Sequence, residues 1–142
     1  MKAYFDHEKL NVYQLSLSFN EWVGELLPSI AAKAAAKDQL DRAATSIPLN
    51  IAEGNGKFSK RDRARFFDTA RGSAVEAAAC LDVLVSRKLA TLDRVVGAKD
   101  QLVQIVNMLA GLLKGLGYGF DSGTAREEPN AEFGSEQEQE KE

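Results

Sequence analysis

Apolar residues recur three and four positions apart along most of this chain, a spacing that places them on one face of a helix. Val12, Leu15, Phe19, Trp22 and Leu26 form the first such stripe. Widened by Val23 and Leu27, it predicts a helix over 6–27 that Pro28 closes. The alanine-rich stretch 29–37 fits either a loop or an opening helical turn. Leu40, Ala44, Ile47 and Ile51 predict a second helix over 38–54. Phe67, Ala70, Ala74, Ala77, Leu81 and Leu84 predict a third over 59–89. Val95, Ala98, Leu102, Ile105, Leu109, Leu112 and Leu116 predict a fourth over 91–116, ended by Gly117 and Gly119. Ser59 and Thr91 stand where N-caps are expected. Four amphipathic helices with short connections predict an all-α, antiparallel up-down four-helix bundle over 1–120. Val96, Val103, Val106 and Leu113 carry the apolar surface of the fourth helix beyond one seam, which fits either a broad core stripe or contact between subunits.

The stretch 46–76 breaks this regularity. Proline lacks the N–H and costs about 3 kcal/mol in a helix interior. The apolar spacing nevertheless continues across Pro48, which favours one kinked helix over a new helix starting near Ser46. Gly54-Asn55-Gly56 reads as its stop, through residues that tolerate positive φ. Gly72, beside Ser73, Ala74, Ala77 and Ala78, predicts a close helix–helix approach. Between positions 57 and 71, Lys57, Lys60, Arg61, Arg63, Arg65 and Arg71 face only Asp62 and Asp68, a net +4. They cluster at a helix start, whose dipole adds further positive character, so the corner should attract anions.

The segment SIPLNIAEGNGKFSKRDRARFFDTARGSAVE resembles the signature of a bacterial four-helix-bundle family. That signature runs Ser-Ile-Pro-x-Asn-Ile-Ala-Glu-Gly-x-Gly, then a serine, a basic helix with Arg-Phe, and Gly-Ser-x-x-Glu. The match falls on Ser46, Ile47, Pro48, Asn50, Ile51, Ala52, Glu53, Gly54, Gly56, Ser59, Phe66, Ala70, Gly72, Ser73 and Glu76. The family holds proteins encoded in intervening sequences of the large ribosomal RNA gene, and the accessory variability proteins of diversity-generating retroelements. The likeness follows helix order over 5–116, although Val12-Tyr13-Gln14 stands where the family often has Trp-Gln. The resemblance implies a bundle commonly assembled as a ring of five, binding nucleic acid through a basic surface, with no established enzymatic activity.

Composition modifies this picture in two places. The 142 residues are 44% hydrophobic and 27% charged, ordinary values for one soluble domain. The net charge of −3 conceals a division. Residues 1–120 hold sixteen Lys and Arg against thirteen Asp and Glu, a net +3, whereas 121–142 hold two against eight, a net −6. An acidic average is therefore weak argument against a polyanionic partner. The tail 121–142 has the composition of a disordered segment; a sharper expectation is that it folds back on the basic cluster and competes with nucleic acid. The lone Cys80 excludes an intramolecular disulfide and reads as a packed small hydrophobe. No signal peptide and no apolar run near the length of a bilayer are present, so a cytoplasmic protein without a membrane partner is expected.

Candidate chemistry is sparse. The sole histidine, His7, cannot complete Glu-x-x-His metal pairs or a hydrolase triad and is expected to be exposed. Gly54-Asn55-Gly56-Lys57 lacks the spacing of a phosphate-binding loop and follows a helix rather than a strand. No catalytic residue, metal or cofactor is expected. Asn50, Glu53, Ser73 and Glu76 fit an interhelical hydrogen-bond network better than carboxylate chemistry. Lys57, Lys60, Arg61, Arg63 and Arg65, with Arg71 contributing, would contact phosphates. Aromatic platforms are limited to Phe58, Phe66 and Phe67, the last two facing inward, so contact should be phosphate-dominated. Expected partners are further copies of the chain, as a pentamer, and nucleic acid. The alternative is a protein–protein adaptor that docks a partner such as a polymerase.

Overall fold

The computed structural model describes residues 2–121 and 124–127. Four helices fill most of it: α1 over Asn11–Leu26, α2 over Ala35–Asn55, α3 over Lys60–Ser86 and α4 over Leu92–Gly115. The expected all-α four-helix bundle is present. The first helix differs from expectation at its start. Asp6–Lys9 is a separate 3-10 turn, and Leu10 (φ −78°, ψ 127°) is extended, so α1 begins only at Asn11. The Glu8 carboxylate accepts from the N–H groups of Tyr4 and Phe5 at 3.0 and 3.3 Å, closing that turn on itself. The ambiguous stretch after Pro28 is part loop and part helix, since α2 starts at Ala35. Ser59 and Thr91 are the N-caps of α3 and α4: their hydroxyls accept from the N–H of Asp62 (3.1 Å) and Arg94 (3.3 Å).

Side-chain bonds fix an antiparallel order around the bundle. Asn55 meets Asp6 while Asn20 meets Ala44, so α1 and α2 run in opposite directions. Ser46 meets Ser73 while Gly54 abuts Phe66, which does the same for α2 and α3. Gln101 reaches Ser18 and Arg94 reaches Ser29, which reverses α4 against α1. Lys99 Nζ lies 2.6 Å from Asp82, across the α3–α4 seam. The α2–α3 connection therefore shares one end of the bundle with the start of α1 and the end of α4.

The core follows the stripes with two rotations. In α1 the buried row is Val12, Ser16, Phe19, Val23 and Leu26, so Ser16 and Val23 replace Leu15 and Trp22, which are half-buried. Ser16 tolerates burial because its hydroxyl donates to Tyr13 O at 2.7 Å. In α4 Leu113, expected on the surplus surface, is buried, and Leu112 only half-buried. Val96 and Val103 remain exposed.

Pro48 lies inside one continuous α2, as the spacing predicts. Having no N–H, it cannot donate to the carbonyl of Ala44, one turn earlier. That acceptor sits on a fully buried residue. Asn20 of α1 supplies the donor: its Nδ2 lies 2.8 Å from Ala44 O and 2.9 Å from its own Ser16 O. The proline defect thus becomes an α1–α2 contact.

Two glycine expectations need correction. Gly56, the C-cap of α2, has φ −88°, so the helix does not end through a left-handed residue. Gly72 is exposed, and a Cβ there would meet nothing within 4 Å. The close approach occurs at Gly54, where a Cβ would lie 2.9 Å from Phe66 Cβ and 3.0 Å from two carbons of the Phe67 ring. The α3–α4 turn uses Lys88 at φ 62°, which ends α3 at Ser86, short of the expected 89. Gly117 does adopt φ 104° and ends α4. Beyond it β1 (Tyr118–Asp121) pairs antiparallel with β2 (Thr124–Glu127), and Tyr118 is buried. Of the segment 121–142, residue 121 and 124–127 form these paired strands; the rest, and with it the proposed fold-back, lies outside the described residues.

Two sets of variants test this packing. Asn20→Ala should cost about 1–3 kcal/mol, because it strands a buried carbonyl. Pro48→Ala restores a backbone donor, so in that background the Asn20→Ala cost should shrink by about 1 kcal/mol or more in a urea-unfolding cycle. Strictly additive effects would refute the compensation. Gly54→Ala should destabilise by about 1–3 kcal/mol through overpacking, whereas Gly72→Ala should stabilise by about 0.5–1 kcal/mol through helix propensity.

Candidate nucleic-acid interface

The basic cluster occupies the α2–α3 connection and the first turns of α3, but its members divide by depth. Arg71 is buried, with Nε 3.3 Å from Asp68, so it does not stand on the surface as expected. Arg63 is half-buried and closes the connection: its Nη1 donates to Asn55 O at 2.8 Å and Lys57 O at 3.3 Å, and its guanidinium lies over the Phe67 ring at 5.8 Å. Its Nη1 is thus engaged by the protein backbone, so Arg63 also holds the connection together. Both positions were readable, since Arg63 and Arg71 lie four residues either side of Phe67 and share its core-facing row.

The outward members are Lys57, Lys60, Arg61 and Arg65. Lys60, Arg61 and Arg65 are exposed, and Lys57 is half-buried. Lys57 Nζ is 3.9 Å from Glu53 and 5.1 Å from the centre of the Phe66 ring. Arg65 Nη1 is 3.4 Å from Asp62, with both side chains largely in water. Exposed pairs of this kind contribute about 0–1 kcal/mol and exchange readily for a phosphate. Arg61 and Arg65, one turn apart, project from the same row.

The expected polar network forms in part. Ser46 Oγ and Ser73 Oγ are 2.8 Å apart across the α2–α3 seam, and Asn50 Nδ2 donates to Ser46 O and Oγ, each at 2.9 Å. Glu53 and Glu76 are exposed and lie outside it. Ser46, its hub, was missed although it stands four residues before Asn50. These groups hold each other across the α2–α3 seam.

Around the corner, Asp6 Oδ2 accepts from Asn55 Nδ2 at 3.0 Å. That hydrogen bond, with Lys9 beside it, holds the Asp6 carboxyl below its ordinary range. His7 is half-buried rather than exposed, between the rings of Phe5 (5.7 Å, stacked) and Tyr13 (4.7 Å, edge-on). Cys80 is buried, and burial, then the charge of Glu76, pushes its thiol above the ordinary range, which disfavours a nucleophilic role. Among the described residues no three His, Cys, Asp or Glu side chains are grouped to hold a metal, and no helix is long and apolar enough to cross a membrane.

Comparison with known proteins bears on family and fold. The family model described as "23S rRNA-intervening sequence protein" matches residues 8–111. No curated protein matches the chain. A solved protein of unknown function from the S23 ribosomal protein family of Bacteroides thetaiotaomicron superposes with a TM-score of 0.68 at 23% identity. The match covers 72% of this chain and 98% of that one, a likeness of fold.

Proposed function

The chain belongs to the 23S rRNA-intervening sequence protein family, and from that premise we propose a non-enzymatic accessory protein that holds nucleic acid by its phosphates at the α2–α3 corner. The observation that carries this reading is the exposure of Lys60, Arg61 and Arg65 together on the first two turns of α3, with Lys57 beside them. Guanidinium groups suit phosphate oxygens bidentately, and a lysine adds a mobile point charge. Among the described residues no base-reading element accompanies these cations, so binding should be salt-sensitive and weakly sequence-specific.

Several copies would act together in this proposal, as a homo-oligomeric ring. Its support is the outer face of α3 and α4, where Val75, Val83, Val96 and Val103 are exposed. Val96 and Val103, two turns apart, share one outward row of α4, which offers apolar surface to a second copy. The same valines support a second reading, an adaptor that presents this face to a different protein.

Two measurements separate these readings. In a salt titration of a labelled RNA or DNA, the double variant Arg61→Glu/Arg65→Glu should flatten the slope of log K against log salt by about 2 and weaken binding about tenfold or more at low salt. Absence of binding even at about 50 mM salt would leave the adaptor reading in its place. In light scattering, Val103→Glu should convert the wild-type oligomer to a lighter species without loss of helix signal. A wild-type chain that is monomeric throughout would refute the ring.

A further inference from the structure

We propose that this corner takes single-stranded rather than duplex nucleic acid, with Phe58 as a platform on which an unpaired base stacks; this rests on the phosphate-binding reading above and narrows it. Phe58 is fully exposed, at the tip of the α2–α3 connection. Its ring adds nothing to the core. The backbone carrying it is nonetheless held on both sides. Gly56 N donates to Ala52 O and Glu53 O, and Lys57 N donates to Gly54 O, each at 3.2 Å. Lys57 O accepts from Arg63 at 3.3 Å, and Ser59 caps α3. The ring is therefore presented from a fixed turn, with Lys57 immediately before it and Lys60 and Arg61 two and three residues after.

A second observation concerns distribution. Among the described residues, three aromatic side chains are strongly exposed: Phe58, Tyr4 (80%) and Phe5 (66%). All three lie at one end of the bundle, because the Asp6–Asn55 hydrogen bond ties the N-terminal turn to the start of the α2–α3 connection. The opposite end, where α1 meets α2 and α3 meets α4, exposes none among the described residues. Aromatic rings and cations are thus gathered on the same end. Cations alone would serve a duplex, whose bases are already stacked on each other. Exposed rings gain a partner only where bases are unstacked, and every base offers a π-face, so the arrangement suits a single strand without demanding a sequence.

The test compares a labelled single-stranded homopolymer of about 20 nucleotides with a duplex of the same length. Wild type should prefer the single strand. Phe58→Ala should weaken single-strand binding about five- to a hundredfold, leave duplex binding within about twofold, and leave the salt slope unchanged. Phe58→Trp should keep single-strand affinity, and its added emission should be quenched on binding. Because the ring touches no core residue, circular dichroism should be the same for all three. Equal loss on both nucleic acids, or loss on neither, would overturn stacking while leaving the phosphate reading intact. Failure of wild type to bind either would remove that reading itself. Phe58-dependent binding to vesicles of anionic phospholipid, with no such dependence on the oligonucleotides, would assign the rings to a lipid surface and overturn the proposal.

Discussion

The α2–α3 end is organised by a side chain that is not there. With only hydrogen at Gly54, Phe66 and Phe67 come against the backbone of α2 at a distance that no Cβ would permit. That contact brings α3 close enough for Arg63, one turn before Phe67, to reach the carbonyls of Asn55 and Lys57. The connection can then be as short as residues 56–59. A connection that short, with the carbonyls of Lys57 and Ser59 on either side of Phe58 both held by Arg63, leaves little slack to fold Phe58 back onto the core. The outward ring and the crowding of Lys57, Lys60 and Arg61 around it are consequences of one close helix contact.

The same economy appears about two to three turns further along the α2–α3 seam. Alanines at positions 43, 44, 70, 74 and 77 are all buried in the core. Side chains this small let α2 and α3 approach so closely that two serine hydroxyls meet directly, at 2.8 Å. A half-buried polar pair beside alanine surfaces favours one register, because sliding by one residue would separate the two hydroxyls and leave Ser46 Oγ with Asn50 alone. Asn20 does the equivalent for α1 and α2, and there the acceptor exists only because Pro48 cannot use it. These two polar contacts thus align three helices before any function is considered.

Periodicity made the bundle legible, and the side-chain chemistry of Ser59 and Thr91 made two helix starts legible, because both are local properties. The features that were misread depend on which neighbour lies opposite. Gly54 and Gly72 look alike in a sequence, yet only one faces an aromatic pair. Leu15 and Ser16 are both compatible with a stripe that begins at Val12; burial chose the serine, whose hydroxyl a local carbonyl satisfies. The candidate site was legible as a charge cluster but not as a surface. Counting charges between 57 and 71 treats six cations as equivalent, whereas Arg63 and Arg71, one turn either side of Phe67, meet protein and Arg61 and Arg65 meet water. That angular information was available in the sequence and was outweighed by the count.

Sorting the cations by depth also limits what one subunit can do. Once Arg63 and Arg71 turn inward, Lys57, Lys60, Arg61 and Arg65 remain on the surface, with Glu53 and Asp62 among them. In the proposed role, a corner of four cations with carboxylates among them would meet few phosphates and bind weakly at physiological salt. A base stacked on Phe58 would add to this without adding charge, so its contribution would persist as salt rises. Repetition of the corner on the proposed ring would multiply both terms, because a strand already held at one site would meet the next at high effective concentration. On the proposed reading, assembly through the α3–α4 face and strand binding at the α2–α3 end are therefore not separate properties. The first supplies the multiplicity that the modest charge of the second requires.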